Sequence, residues 1–197
     1  METQKHGFVF ENKLILPLYA HDMSMISGIK YTSRYDLDKK DNKYGFNLQV
    51  KSTSRKNSVC MADVCRVYED VCEGYHLLVV VYTQENKKKK VGEIVEVDLT
   101  GMTKELFGDI TMRDLRRLDR CIKRVPQKRS PTEEERKDIY DLRDEIQARI
   151  YESGGCIHLD PKCNSQQSRL QCSFNKFQEF LDSYPERIVA KSEGGMF

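Results

Sequence analysis

Three side chains with complementary chemistry lie close together in this sequence. Asp36 offers a carboxylate, Gln49 an amide oxygen and Lys51 an ammonium group. Carboxylate and amide oxygens are hard ligands that suit Mg²⁺, and a lysine beside such a metal can orient or deprotonate a water molecule. These residue types at this spacing therefore predict a metal-dependent phosphodiesterase.

A two-stranded hairpin would bring these side chains together. Residues 36–38 would end or bend its predicted first strand, residues 41–43 mark the turn, and residues 44–53 alternate as its second strand. Gln49 and Lys51 are two positions apart, so a strand directs both side chains to the same face. Convergence of the three groups requires that this face meet the acidic residue of the first strand.

Two alternatives to this interpretation stay open. Asp38 could replace Asp36, because one register slip at the strand end exchanges them, or the whole set could be the solvated polar face of a hairpin.

Basic and hydroxyl side chains flank this predicted site. The flanking residues could contact phosphates on either side of a scissile bond. They are Arg34, Ser52, Arg55 and Lys56.

The arrangement resembles the PD-(D/E)xK nuclease superfamily, in which an Asp is followed by an acidic residue, any residue and a Lys. Here twelve residues separate Asp36 from Gln49-Val50-Lys51, and Gln replaces the second acid, as in a minority of type II restriction endonucleases. The resemblance covers roughly residues 1 to 100. It implies a core with the order helix, Asp-bearing strand, QxK-type strand, helix and strand.

The resemblance also implies a role for each site residue. Asp36, Gln49 and the Val50 carbonyl would hold Mg²⁺, for which Mn²⁺ could substitute, and Lys51 would activate the attacking water. Glu11, on a predicted helix over residues 6–12, could bind a second metal or orient a metal-bound water; an exposed helix carboxylate is the alternative. Because Gln49 is neutral, we expect weak metal affinity.

The rest of the chain predicts an α+β fold, with a restriction-endonuclease-like mixed sheet flanked by helices. An amphipathic helix is predicted over residues 58–74, a buried strand over 76–82, a turn containing four lysines at 87–90 and a strand over 92–99. We divide the chain into a catalytic core (1–110), a helical hairpin (111–153) and a β-hairpin plus helix (154–197).

Helix signals are strongest in the middle segment. Thr111 with Asp114 predicts a capping pair, and Ser130-Pro131-Thr132-Glu133 predicts a second helix start with Ser130 as the cap. The first of these helices carries six basic residues on its outer face. That face could follow a phosphate backbone, or it could pair with the acidic residues 133–135.

The last segment predicts two strands, 156–160 and 169–174, joined by a polar loop. Arg and Lys recognise guanine edges, and Asn and Gln recognise adenine edges, so this loop predicts sequence-specific DNA recognition. An ordinary polar turn is the alternative. The candidate recognition residues are Lys162, Asn164, Ser165, Gln166, Gln167, Arg169 and Gln171.

Composition bounds the cellular setting. The net charge is only +2, and no run approaches the roughly 18 apolar residues of a membrane span. An N-terminus without a signal-peptide pattern and seven irregularly spaced cysteines predict a cytoplasmic protein with reduced thiols. A zinc site built from Cys156, His158, Cys163 and Cys172 would lack the usual ligand spacing.

Together these patterns predict a sequence-specific, Mg²⁺-dependent DNA endonuclease resembling type II restriction enzymes. As the resemblance implies, it would act on double-stranded DNA and leave 5′-phosphates, and it could assemble as a homodimer; no membrane is expected to be involved. A structure-selective DNA nuclease is one alternative. The other is a non-catalytic DNA-binding module on a decayed nuclease fold, which the replacement of an acid by Gln49 suggests.

Overall fold

The computed structural model describes residues 16–22, 34–54, 56–85, 88–126 and 129–193. It confirms a mixed α+β fold with one four-stranded mixed sheet and one three-stranded antiparallel sheet. The strands are β1 (Asn47–Thr53), β2 (Val59–Asp63), β3 (Tyr75–Glu85), β4 (Lys88–Asp98), β5 (Ile157–Cys163), β6 (Ser168–Phe174) and β7 (Ile188–Glu193). The helices are α1 (Leu16–Tyr19), α2 (Val64–Glu73), α3 (Thr103–Phe107), α4 (Met112–Arg124), α5 (Glu133–Glu152) and α6 (Phe177–Ser183), with a 3₁₀ helix at Pro185–Arg187.

The chain forms two compact units. The first takes in the described residues up to 54, residues 73–100 and those from 184 onward; the second takes in residues 56–72 and 101–183. These units differ from the predicted segments 1–110, 111–153 and 154–197. Residues 56–72 belong to the same unit as residues 101–183. No helix in the described ranges is both long and apolar enough to cross a membrane.

The four-stranded sheet of the first unit has the strand order β1-β3-β4-β7. Strand β1 runs parallel to β3, and the other two pairs are antiparallel. Residues 77–80 of β3 are all buried, as expected of a central strand covered on both faces. On β1 the alternation sends Leu48 and Val50 into the core, while Gln49 and Lys51 leave from the opposite face. The apolar core thus orients the predicted catalytic side chains.

The predicted helix over residues 58–74 is wrong in its first part. Residues 59–63 form β2, which pairs with β6, and helix α2 begins only at Val64. Val59 and Met61 are buried in this sheet, whereas Ala62 takes a φ of 89° at the bulge in β2. A short apolar run fits a strand as well as a helix turn, so pairing with the distant β6 decided its structure.

The predicted lysine turn is also shifted. Strand β4 already begins at Lys88, and Glu85 is paired with Lys88 across the hairpin. The pairing of β3 with β4 therefore extends further along the chain than the charge pattern predicts. A run of lysines can continue a strand where one sheet face is solvated, because strand pairing satisfies the backbone whatever the side chains are.

The second unit contains the sheet β2-β6-β5 and helices α4 and α5. The predicted capping pair is confirmed: Thr111 and Asp114 form a complete capping box on α4. The predicted cap of α5 is wrong, since Thr132 rather than Ser130 is the cap residue and makes a capping box with Glu135. Of Ser130 and Thr132, it is Thr132 whose amide donates to the side chain of the acid three positions on, Glu135.

Helix α5 also protects an edge of the three-stranded sheet. Gln147 is buried; its Nε2 donates to the Ile157 carbonyl at 2.9 Å, and its Oε1 accepts from the Leu159 amide at 2.6 Å. One side chain thereby satisfies two backbone groups of β5. Such cover prevents an edge strand from pairing with another chain.

Candidate active site

Backbone hydrogen bonds join the segment that carries Asp36 to strand β1. The Leu48 amide donates to the Leu37 carbonyl at 2.8 Å, and the amides of Asp36 and Leu37 both donate to the Leu48 carbonyl at 3.1 Å. The predicted first strand is reduced to this single antiparallel bridge between Leu37 and Leu48, because the chain bends at residues 34–36. One bridge is nevertheless enough to place Asp36 beside the middle of β1.

The Asp36 carboxylate is tied to the QxK segment. Its Oδ2 accepts a hydrogen bond from the Val50 amide at 2.7 Å and a short one from Gln49 Nε2. Burial raises the pKa of Asp36 above its ordinary value of 3.8, while the positive charge of Lys51 and the hydrogen bonds from Val50 and Gln49 act in the opposite direction. The structure therefore brings Asp36, Gln49, Val50 and Lys51 together. A partly buried carboxylate with a specific cation beside it is typical of functional sites.

Carboxylate, amide and carbonyl oxygens are the types of ligand that a hard divalent cation prefers. Of the three groups at this site, only the Asp36 carboxylate can carry a charge. The Val50 amide points away from β3 toward Asp36. Because the amide and the carbonyl of one strand residue point to the same side of the strand, the Val50 carbonyl also points toward the Asp36 side. The Gln49 amide donates to Asp36, and its oxygen would have to turn to become a ligand. Among the described residues, no three His, Cys, Asp or Glu side chains are grouped as metal ligands.

The geometry favours Asp36 over Asp38 as the partner of Gln49. Asp38 Oδ1 accepts from the Lys40 amide at 3.1 Å, and the Asp38 carbonyl accepts from the amides of Asp41 and Asn42. Asp38 therefore stabilises the turn that follows the bridge.

The flanking residues are less closely associated with this site. Arg34 is exposed, and its guanidinium lies 5.4 Å from the centre of the Tyr35 ring. Ser52 is exposed, but strand alternation places it on the face of β1 opposite Lys51. Lys56 belongs to the second unit. Glu11 with its predicted helix and Arg55 lie outside the described residues.

The predicted recognition loop is the turn between β5 and β6. Residues 164–167 are all exposed. Asn164 Oδ1 accepts from the amides of Gln166 and Gln167, both at 2.9 Å, so this side chain holds the turn. Ser165, Gln166 and Gln167 remain directed to solvent, whereas Asn164 behaves as the ordinary turn residue of the alternative interpretation.

Three predicted recognition residues make contacts within the protein. Gln171 is only 7 % exposed, because β6 is the central strand and residue 171 is paired with Asp63 on one side and Asp160 on the other. With its amide oriented to accept, Gln171 lies 3.0 to 3.2 Å from the guanidinium of Arg169. Lys162 forms an ion pair of 2.5 Å with Asp160. The assignment of Gln171 to base recognition is therefore wrong. The guanidinium of Arg169 donates to the Gln171 side chain and is thereby partly occupied within the protein.

The basic face of α4 meets acidic residues of α5, as one alternative requires, although not residues 133–135. Arg117 lies 3.5 Å from Glu145, whereas Glu135 pairs with Arg129 at 2.6 Å. A cleft of about 560 Å³ separates the two helices. Its charged lining consists of Arg117, Arg120, Arg124, Asp138, Asp141 and Glu145. Opposite charges balance there, so this face is a weaker phosphate site than its sequence suggests.

Sequence reasoning missed a buried polar network in the first unit. Glu96, on the central strand β4, is 4 % exposed; its Oε1 lies 2.8 Å from His76 Nδ1, and its Oε2 accepts from the Tyr19 hydroxyl at 2.6 Å. Burial and the Glu96 carboxylate raise the pKa of Tyr19 above its ordinary value. The available signal was an acidic residue on the core side of a predicted strand.

We expect Asp36→Asn to stabilise the protein against unfolding at neutral pH. Asparagine keeps the shape and an acceptor for the Val50 amide, but it removes a buried charge. Because the folded-state pKa of Asp36 is raised, the protonated carboxyl group stabilises the folded state. This stabilisation is fully present below pH 3.8 and is lost as the pH rises through the folded-state pKa. The advantage of the variant in urea unfolding should therefore grow from acid to neutral pH. The exposed Asp109→Asn serves as control, and a pH-independent difference would contradict the expectation.

The chain was compared with models of known protein families, with curated proteins and with solved structures, and none of the three comparisons produced a match. What this protein does must therefore be inferred from its own residues, above all from the meeting of Asp36, Gln49 and Lys51.

Proposed function

We propose that this protein is a Mg²⁺-dependent DNA endonuclease of the PD-(D/E)xK kind, which hydrolyses phosphodiester bonds to leave 5′-phosphates. The observation that carries the proposal is the contact of Asp36 with Gln49 and Val50, next to the charge of Lys51. The order of elements agrees with it: the Asp36 segment pairs antiparallel with β1, and the chain returns through α2 to β3, parallel to β1. The additional strand β2 departs from that order.

Each residue has a chemical role in this proposal. Asp36 is the anionic ligand that would hold Mg²⁺, with the Gln49 and Val50 oxygens as neutral ligands. When bound, the metal would polarise a phosphoryl oxygen of the scissile phosphodiester. The charge of Lys51 opposes the burial that raises the pKa of Asp36, and Lys51 would orient the attacking water and stabilise the negative charge that develops on the phosphoryl oxygens.

We expect Mg²⁺ to bind weakly, with a dissociation constant of roughly millimolar order, because the site offers a single negative charge. Binding through the Gln49 oxygen must also break the hydrogen bond from Gln49 to Asp36. Calorimetric titration with MgCl₂ tests this expectation, with Asp36→Asn as the control that should bind less. Tight micromolar binding by the wild-type protein would contradict it.

The proposal is tested first on a long duplex DNA of known sequence, incubated with the protein in Mg²⁺ and in EDTA. Discrete bands that EDTA abolishes are expected of a sequence-specific endonuclease, and the mapped ends give the site and stagger. Smearing, or preference for branched substrates, would point to the structure-selective alternative. Such a nuclease would have no need of a base-recognising loop.

A specific observation favours a second candidate, the non-catalytic DNA-binding module. Asp36 is already satisfied by the Gln49 amide and the Val50 amide, as expected where a former metal site has become structural. A salt-sensitive gel shift without any cleavage would support this candidate over the nuclease.

The nuclease proposal extends to partners and location. Double-stranded DNA is the substrate, and the protein would work in the cytoplasm, where its seven cysteines would stay reduced. A homodimer would provide two sites for the two strands of a duplex. Sedimentation in the presence of a short duplex tests the dimer.

We expect Gln167→Ala to relax sequence preference and not to abolish cutting. A bidentate contact from a Gln side chain to adenine discriminates against other bases by about 1–3 kcal/mol. Cleavage of a library of related sites measures the effect, and Ser130→Ala, at an exposed position outside this turn, is the control. An unchanged set of cleaved sites would remove Gln167 from recognition.

A further inference from the structure

The loop of residues 38–46, which joins the Leu37 bridge to β1, has an unusual surface. Its four most outward side chains are Lys39, Lys40, Lys43 and Tyr44, all of them exposed. Tyr44 is 61 % exposed, and the Lys43 ammonium lies 5.0 Å from the centre of its ring. Only two strand positions separate the end of this loop from Gln49. A basic and aromatic surface therefore lies beside the proposed catalytic residues in the sequence and in the same unit.

Two buried asparagines hold this loop in one conformation. Asn42 accepts from the Tyr44 amide at 2.9 Å and donates to the Phe46 carbonyl at 2.8 Å. Asn47 Oδ1 accepts from the Lys39 amide at 2.9 Å. Both asparagines are 1 % exposed, so their hydrogen bonds are protected from water. The φ of +77° at Gly45 suits glycine and completes the turn behind Tyr44. These hydrogen bonds fix the backbone of the loop, so the Cα positions of its exposed side chains are also fixed.

A column of stacked rings supports Tyr44 from inside. The Tyr44 ring is nearly parallel to that of Phe46, with centroids 6.1 Å apart and 8° between planes, and Phe46 lies on His76 at 3.6 Å and 5°. His76 is held by the buried Glu96, which also binds the hydroxyl of Tyr19. The Tyr19 ring in turn contacts Tyr44 and Phe46 edge-on. The buried polar network therefore positions the inner end of a column whose outer end is in solvent.

Charge on this surface favours an anionic ligand. The two acids of the loop, Asp38 and Asp41, are half-buried, and Asp38 accepts from the Lys40 amide within the turn. Three lysine side chains of this loop, Lys39, Lys40 and Lys43, are exposed, and Lys43 lies against the Tyr44 ring. An aromatic ring among lysines is the combination that binds single-stranded nucleic acid, because bases stack on the ring and phosphates meet the cations.

We propose that this loop binds a single-stranded segment of DNA, with one unpaired base stacked on Tyr44 and neighbouring phosphates at Lys39, Lys40 and Lys43. The choice of DNA rests on the proposed function, whereas the stacking site rests on the loop alone. Such a site would hold a frayed end or a displaced base on the segment of the chain that also carries Asp36, Gln49 and Lys51, although Phe46, on which Tyr44 stacks, packs against the core-facing side of β1. It adds a binding surface that the sequence pattern of the nuclease motif does not contain.

The test is fluorescence anisotropy of a labelled oligothymidylate with the full chain in EDTA, which prevents cleavage. Tyr44→Ala should weaken binding by roughly 5- to 150-fold, the range for loss of one base–aromatic stack. Tyr44→Phe should retain wild-type affinity, because the ring is kept. Tyr140→Ala is the matched control: Tyr140 is 41 % exposed and also has a cation, Arg143, 5.1 Å from its ring centre.

An oligonucleotide with abasic sites provides the second measurement. The wild-type protein should lose affinity for it, whereas Tyr44→Ala should bind it and the intact strand equally. Replacing the three lysines by alanine should reduce the dependence of log affinity on log salt by about 0.7 for each phosphate that the protein no longer binds. Equal binding by the wild type and Tyr44→Ala, or an equal loss of affinity by both on the abasic strand, would overturn the proposal.

The two proposals fail in different ways. Tyrosine-dependent binding in EDTA without cleavage in Mg²⁺ would reject the nuclease and keep the loop site. Cleavage that depends on Lys51, together with binding that ignores Tyr44, would do the reverse. Tyr44 is largely exposed, so its substitution should leave the thermal melting of the protein unchanged and the comparison interpretable.

Discussion

Replacing Lys51 by alanine is expected to lower DNA cleavage by about 100- to 10,000-fold while DNA binding persists, the range for loss of a positioned proton-transfer group. Lys51 shares a face of β1 with Gln49, and its charge acts on the Asp36 carboxylate. In the proposed mechanism, removing the ammonium would take away both the group that positions water and a charge opposite the developing phosphoryl oxyanion. Cleavage is measured as single-turnover rates on duplex DNA, and binding as gel shifts in EDTA.

Ser52→Ala is the matched control for Lys51. Ser52 is the next residue of the same strand, is exposed, and points to the opposite face, so its loss should change the rate little. Equal rates for Lys51→Ala and the wild type would refute the assignment of the active site. Loss of binding together with cleavage would mean that Lys51 contacts phosphate in the ground state and has no selective role in the chemical step.

Leu48→Ala is expected to reduce the free energy of unfolding by about 2–5 kcal/mol, the usual range for a buried leucine. Leu48 is fully buried and belongs to the core cluster with Leu37, Val50 and Leu78. Its backbone carbonyl also accepts from the amides of Asp36 and Leu37. A cavity at this position loosens the side of the sheet that holds Asp36 against β1. Urea unfolding followed by circular dichroism measures the loss.

Leu18→Ala is the matched control, because it makes the same substitution at a solvent-exposed position. Leu18 is 60 % exposed, and its truncation should alter the unfolding free energy by no more than about 0.5 kcal/mol. Equal losses for the two leucine variants would contradict the position of Leu48 in the core. If Leu48→Ala remains folded in buffer, its cleavage rate reports how strongly the site depends on the packing behind it.

The proposed nuclease site and the proposed stacking site share one structural basis. Both depend on the segment from Asp36 to Lys51, whose two ends are joined by the bridge between Leu37 and Leu48. The core side chains of this segment face one way and Asp36, Gln49 and Lys51 the other. Stability and chemistry are thus assigned to alternate residues of one strand, which is possible because the side-chain period of a strand is two.

Several features of this protein could be predicted from the sequence because they depend on near neighbours. The alternation from Tyr44 to Thr53 predicted that Gln49 and Lys51 share a face, and they do. The Thr111 capping box of α4 follows from a spacing of three residues. The buried run of β3 is likewise a local signal.

Other features were decided only by the tertiary structure, because they depend on partners far away in the chain. Residues 59–63 became a strand when they paired with β6, and Gln171 became buried because its strand lies at the centre of a sheet. The contact between His76 and Glu96 arises from adjacent strands, and Tyr19 reaches Glu96 from 77 positions away. The choice between Asp36 and Asp38 depended on which carboxylate meets the Val50 amide across a single bridge. Periodicity specifies the face on which a side chain lies, whereas only strand pairing and packing specify what that face meets.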